Sequence, residues 1–305
     1  MRNYFDLHCD TLAVCLMDQK NMEHNDLAIA LDRGGELGKW VQAFAAFIHD
    51  DLTGPEGYAQ FKQMAALFQR TMEETDLAVL YDPRAVREGV CNAMLTVEGG
   101  AALGGDLGHI EEFRGLGVRI LSLVWSKETD LAGGVTSGSG LKAKGADAIR
   151  ELENCGILLD VSHMNKKSFW DAAKIAQKPF IATHSNALSV CGHVRNLDDD
   201  QVRELVARGG LIGLNYCVPF IVDGKEDAVY EDMAAHIDHF LELGAEDILC
   251  CGSDFDGAQL PSCMNGIQTM PAFGNFLADR YGEEMSQKIT FANAQAFFEK
   301  NTHWN

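Results

Sequence analysis

The chain has 305 residues, 47% of them apolar, which is enough to bury a large core. Lys and Arg number 25 against 45 Asp and Glu, and a net charge of −20 disfavours nucleic acid and anionic membrane as partners. No apolar stretch reaches the ~20 residues that a bilayer span requires, and nine cysteines without Cys-x-x-Cys spacing read as buried reduced thiols. Asp6, His8 and Asp10 interrupt the one N-terminal run that could pass for a secretory signal. These features predict one cytoplasmic domain over residues 1–305.

Residues 4–10 form a short apolar run ending in Asp6-Leu7-His8-Cys9-Asp10-Thr11. On an extended strand His8 and Asp10, two apart, leave by the same face. A neutral imidazole and a carboxylate aimed at one point suit a borderline-soft divalent cation such as zinc. Further apolar or β-branched runs follow at 41–47, 91–98, 118–125, 157–162, 180–185, 211–217 and 248–254, which makes eight. Between them, residues 57–76, 141–154, 166–177, 198–207 and 227–243 carry apolar residues at helical spacing, and a short helix fits at 110–114. Eight alternations of strand and helix predict an α/β fold, a TIM-like (β/α)8 barrel, with extra helices at 270–281, 284–290 and 293–301.

Active sites of such barrels gather at the C-terminal ends of the strands. His8 and Asp10, Glu98, His163, His184 and Asp254 all fall at or just after predicted strand ends. Singly, each has a plain structural explanation: a capping carboxylate or a hydrogen-bonded loop histidine. Jointly they suit two metals that share a bridging carboxylate. Two divalent cations would bring four positive charges against the three carboxylates of Asp10, Glu98 and Asp254, which without metal would repel one another.

The motifs Asp-Leu-His8-Cys-Asp10, Thr-Val-Glu98-Gly-Gly, Leu-Asp-Val-Ser-His163, Ala-Thr-His184-Ser-Asn-Ala, Val-Arg195-Asn-Leu and Gly-Ser-Asp254-Phe-Asp-Gly resemble the membrane (renal) dipeptidase family of zinc metallopeptidases. They occur in that family's order from residue 6 to about 257. The resemblance implies a barrel of the metal-dependent hydrolase type and a dinuclear zinc site, with other divalent metals left open. His8 and Asp10 would hold one ion, His163 and His184 the other, and Glu98 would bridge them. A metal-bridging water or hydroxide would attack the peptide carbonyl, with Asp254 as proton shuttle. Arg195 would clamp the free carboxylate of a small dipeptide. A homodimer is the family's habit.

Two departures bear on substrate choice. Where well-known dipeptidases read Thr-His-Ser, this chain reads Val124-Trp125-Ser126, so Trp125 would present an apolar or cation–π wall in place of an imidazole. In Asn215-Tyr216-Cys217 the family's substrate-binding tyrosine is displaced or replaced, and Tyr216 is the candidate for it. Lys127 raises the alternative of a carboxylated-lysine bridge and of another amidohydrolase substrate: an N-acyl amino acid, a lactone or a phosphoester. A catalytically silent ligand-binding barrel is disfavoured, because the five expected ligands and Asp254 are all present.

Overall fold

The computed structural model describes residues 1–52 and 54–301; residues 53 and 302–305, part of the expected domain, lie outside the described residues. Nine parallel strands run in chain order: β1 (Arg2–Cys9), β2 (Leu37–Phe47), β3 (Ala78–Val79), β4 (Cys91–Glu98), β5 (Val118–Ser122), β6 (Leu158–Asp160), β7 (Ile181–Ala182), β8 (Leu211–Leu214) and β9 (Leu249–Cys251). All but β3 form a closed ring, because β1 pairs with both β2 and β9 while β2 also pairs with β4. The two-residue β3 lies outside the ring, on the side of β4. This is the (β/α)8 barrel expected from the eight apolar runs.

The expected helices form as α2 (Pro55–Glu74), α3 (His109–Gly115), α4 (Ala143–Cys155), α5 (Lys166–Ile175), α6 (Asp199–Arg208) and α8 (Tyr230–Glu242). Local chemistry sets their ends: Asp198 and Gln201 close a capping box on α6, and Asn165 caps α5 through the Ser168 amide. Two helices add to the expected set, α1 (Thr11–Met17) directly after β1 and the one-turn α7 (Val218–Ile221). α1 escapes a periodicity reading because Thr11, Leu12, Ala13 and Cys15 are all buried, leaving little polar alternation to detect. At the end of the chain come α9 (Met270–Tyr281), α10 (Glu283–Gln287), a π-helical turn Lys288–Ala292 and α11 (Asn293–Asn301).

The core has two parts. One packs the outer faces of the strands against the helices. The other draws residues from every barrel strand, among them Phe5, Val41, Met94, Ile120, Leu158, Ile181, Leu211 and Cys250, as an inward-facing layer must. Phe291, Phe297 and Phe298 join this inner layer, and Phe5 stacks on Phe298 at 5.4 Å between ring centres. The C-terminal helices thus close the end of the barrel where the strands begin. The opposite end stays free for chemistry. No helix among the described residues is long and apolar enough to cross a membrane.

Candidate metal centre and cleft

Each predicted metal-competent residue leaves a strand at its C-terminal end. His8 is the penultimate residue of β1 and Asp10 lies just beyond the strand, Glu98 ends β4, and His163, His184 and Asp254 follow β6, β7 and β9 by two or three residues. The closed barrel brings all six together. Glu98 is buried at the centre and turns one oxygen to each side: Oε2 lies 3.7 Å from His8 Nε2, while Oε1 lies 2.7 Å from His163 Nε2 and 3.5 Å from His184 Nε2. On the first side, His8 Nε2 is 3.3 Å from Asp10 Oδ2 and 3.9 Å from Asp254 Oδ1. On the second, the Nε2 atoms of His163 and His184 approach to 2.8 Å. The two sides adjoin, since the His8 and His184 rings stack with centres 3.9 Å apart.

The backbone around Asp254 is bent to reach this position. Asp254 and Asp256 adopt left-handed conformations at φ 61° and 67°, which aspartate tolerates better than most residues. The Asp254 amide donates to His8 carbonyl oxygen at 3.2 Å, and Asn215 Nδ2 donates to Asp254 Oδ2 at 3.0 Å. Asn215 Oδ1 accepts the Cys217 amide, so the side-chain amide has one orientation. A second network fixes His184: its Nδ1 is 2.7 Å from Thr183 Oγ1, which donates to Asp160 Oδ2 at 2.7 Å. The hydroxyl proton is committed to the carboxylate, so Nδ1 carries the imidazole proton and Nε2 is bare toward Glu98.

Electrostatics make this a site for a cation. Burial, reinforced by Asp10 and Asp254, raises Glu98 well above the carboxylate range. Burial would depress His8, yet Glu98, Asp10 and Asp254 together lift it to about 10, so positive charge is strongly favoured at that point. His163 and His184 are pushed well below 6.5 by burial and then by neighbouring positive groups, which keeps them neutral and able to ligate. Asp10 Oδ1 is buried with no hydrogen-bond partner. Ligand atoms of His8, Glu98 and His184, and those of His8, Asp10 and Asp254, lie within 4.8 Å of one another. An orphaned carboxylate oxygen, neutral imidazoles and a carboxylate facing both sides fit bound divalent metal.

Compared with known proteins, the chain matches the model of the membrane dipeptidase family, peptidase family M19, over residues 2–303. The chain belongs to the membrane dipeptidase family. It is therefore a metal-dependent hydrolase of the dipeptidase type. An uncharacterised protein from the pqqA 5′ region of Klebsiella pneumoniae is 34% identical over 225 residues, covering 70% of this chain and 83% of that protein. Dipeptidase tcpJ of Claviceps purpurea is 31% identical over 227 residues, covering 71% of this chain, which spans 53% of that relative's length. Among solved structures, a metallopeptidase from Rhodobacter sphaeroides, liganded with a phosphinate mimic of the dipeptide L-Ala-D-Ala, superposes with a TM-score of 0.91 at 25% identity. That match covers 98% of this chain and 99% of the other.

Beside the metal-competent cluster the dipeptidase has a cleft of ≈ 530 Å³, lined among others by Asp10, Glu98, His163, Arg195, Asp254 and Trp125. The Arg195 guanidinium is buried, with Nη1 bonded to the Ser162 carbonyl and Nη2 3.1 Å from His163 Nε2, and its Nε has no partner. Trp125 is half-buried in the wall. Tyr216 is not brought to the cleft, a correction to the sequence expectation. Its ring is fully buried edge-on to Phe255 and Phe273, with its hydroxyl 3.3 Å from Tyr4 Oη. Alternation along β8 continues past its end: Leu211 faces the barrel interior, Ile212, Leu214 and Tyr216 share the helix-facing side, and Asn215 and Cys217 face the site. Lys127 is on the surface, paired with Asp51, and not at Glu98.

Sequence reasoning missed Asp160, Thr183 and Asn215 as the residues that orient site groups. For Asp160 a signal was available. A carboxylate inside an apolar parallel strand is buried on either face and has to be hydrogen-bonded there.

Proposed function

We propose that this metallo-dipeptidase, working as one domain, cleaves dipeptides with a free C-terminal carboxylate at a site holding two divalent cations, zinc in this reading. His8 and Asp10 would hold one ion and His163 and His184 the other, with Glu98 between them. When bound, such ions lower the pKa of water and polarise a carbonyl. The observation that carries the reading is the carboxylate of Glu98, with one oxygen toward His8 and the other toward His163 and His184. Asp254 takes a proton from water at its carboxylate and returns it to the departing amine nitrogen. Burial raises its pKa, which suits a group that must hold a proton briefly, and Asn215 keeps Oδ2 occupied so that Oδ1 faces the centre.

Arg195 receives the substrate carboxylate. Its charge is desolvated, and a guanidinium offers parallel donors to a planar carboxylate. Trp125 forms the adjoining wall. The mimic of L-Ala-D-Ala bound by the Rhodobacter sphaeroides relative makes L,D-dipeptides first substrates to try here. Nine free cysteines support a reducing compartment and a cytoplasmic location.

The test is release of free amino acids from L,L- and L,D-dipeptides by zinc-loaded protein, beside metal-free protein and a His163→Ala variant. Metal-dependent cleavage lost in the variant is expected. Binding of two metals without cleavage of any dipeptide would overturn the reading and direct the search to N-acyl amino acids, lactones or phosphoesters.

A further inference from the structure

We propose that Asp50 is a positioning residue that fixes Trp125 as a rigid wall of the cleft, and that this wall selects dipeptides bearing a bulky apolar side chain, aromatic or branched. The inference rests on the dipeptidase reading and adds the substrate class. β5 stops at Ser122, and the chain that follows supplies Trp125, Ser126, Val135 and Thr136 to the cleft. A loop at this place has no strand ladder to pair its amides. Here three consecutive amides turn the same way: those of Trp125, Ser126 and Lys127 donate to the Asp50 carboxylate at 3.2, 2.7 and 2.6 Å. An anion bound in a concave run of N–H groups makes strong, charge-assisted bonds that orient the backbone.

The same short segment also supplies packing for the indole. Phe47, the last residue of β2, meets the Trp125 ring edge-on at 5.0 Å and 72°, and His49 packs on it at 5.0 Å. Asp50 follows directly, so residues 47–50 hold both the backbone and the ring of Trp125. On the loop's other flank, the Gly134 amide donates to the Lys127 carbonyl at 2.8 Å and the Thr136 amide to the Ser126 carbonyl at 3.0 Å. With its backbone tied on both flanks, the indole centre stands 6.4 Å from that of His163, beside the reacting centre.

Part of the cleft that Trp125 lines is apolar. Phe47, Trp125 and Val135 lie in the same cleft as Ala13, Val14 and Met17 of α1, and Met17 is 58% exposed at the rim. Ser126 and Thr136, the polar residues that this loop brings to the cleft, are uncharged. A side chain placed against these residues gains by removing apolar surface from water. A single methylene in such a pocket discriminates by about 10–200-fold, so an aromatic ring against a methyl group is a large contrast.

The experiment has two arms. Affinities of the metal-loaded protein for phosphinate analogues of Ala-Ala, Phe-Ala and Ala-Phe are measured by calorimetry, and kcat and KM for the three dipeptides themselves by amino-acid release. The unaltered protein is expected to bind one aromatic analogue at least about tenfold tighter than the Ala-Ala analogue. In Asp50→Ala that preference falls about tenfold, through KM for the aromatic dipeptide, with metal content retained. Asp50→Glu, which keeps an anionic acceptor, restores part of it. Adding Asp50→Ala to Trp125→Ala changes selectivity no further, because Asp50 acts through Trp125. Equal affinity for all three analogues in the unaltered protein overturns the proposal without requiring any variant to fold. Additive effects of the two substitutions overturn the role of Asp50. Selective binding without hydrolysis sinks the dipeptidase reading and leaves the wall standing, whereas hydrolysis without side-chain preference does the reverse. Failure to bind any analogue overturns both.

Discussion

Gly257 is where one methyl group tests the His8–Asp10 side of the metal centre. A Cβ at this position would lie 2.0 Å from Asp10 Oδ2, 2.9 Å from Asp10 Cγ and 2.7 Å from Asp254 Oδ1, whereas ordinary contact begins near 3.4 Å. In Gly257→Ala the Asp10 carboxylate therefore has to retreat by about 1.4 Å, the difference between 3.4 and 2.0 Å, well beyond the roughly 0.5 Å that a preorganised site tolerates. Asp10 is the residue that pairs with His8 at 3.3 Å, so its displacement withdraws a ligand from one side of Glu98 and spares the other. Losing an outer partner of a ligand already lowers metal affinity by about 10–100-fold, or roughly 1.4–2.8 kcal/mol, so withdrawing the ligand itself is expected to cost at least that. Competition for zinc against a chromogenic chelator measures it, with circular dichroism of the metal-free variant to establish that the barrel is folded. Expected is one weakened and one unaltered binding event per chain. A folded Gly257→Ala protein with both affinities unchanged would refute the assignment of Asp10 as a ligand.

Three further predictions probe other parts of the arrangement. Thr183→Val removes the hydroxyl between Asp160 and His184 and is expected to weaken metal binding by about 10–100-fold, while Thr183→Ser keeps it; equal affinity in both variants would break the proposed relay. Arg195→Lys loses the planar fork, so KM for dipeptides is expected to rise by about 10–100-fold with a smaller change in kcat, whereas an unchanged KM would remove Arg195 from substrate binding. His236 is buried, donates from Nε2 to the Ile221 carbonyl at 2.8 Å and accepts the Ala187 amide at Nδ1 at 3.1 Å, and burial holds it down to about 4. A base depressed by folding binds fewer protons than the unfolded chain between its two titrations. Its contribution is complete above about pH 6.5 and is lost as pH falls through 4, roughly 3 kcal/mol over that window. In urea unfolding of metal-free protein, His236→Gln should therefore flatten the fall in stability between pH 6.5 and 4.5; an unaltered slope would refute it.

Much of this molecule can be read from local sequence. Parallel strands buried on both faces appear as unbroken apolar runs, so all eight barrel strands are visible, and β4 is legible to its last residue, Glu98. Helix ends are legible where a side chain closes them, as at Asp198. His8, Asp10, Glu98, His163, His184 and Asp254 stand out because polar residues at the ends of such runs are conspicuous. Strand ends are less well defined: β7 is only Ile181–Ala182 within an apolar run of six, because backbone pairing, not composition, decides where a ladder stops.

What only the tertiary structure decided depends on distances between residues far apart in the chain. Closure decides which side of β8 faces the interior: Leu211 points inward, so Tyr216 falls with Ile212 and Leu214 on the helix-facing side, against Tyr4 and Phe273, and Cys217 faces the site. The hold of Asp50 on the amides of residues 125–127 spans some 75 positions and has no signature in either segment. Glu98 stands between His8 and His184 because the ring of strands closes, with β1 paired to β9 on one side and β2 to β4 on the other. Apolar periodicity encodes which residues are buried and which element they join. Barrel closure fixes which of them meet, since hydrogen-bonded strand pairing and side-chain packing act only between neighbours in space.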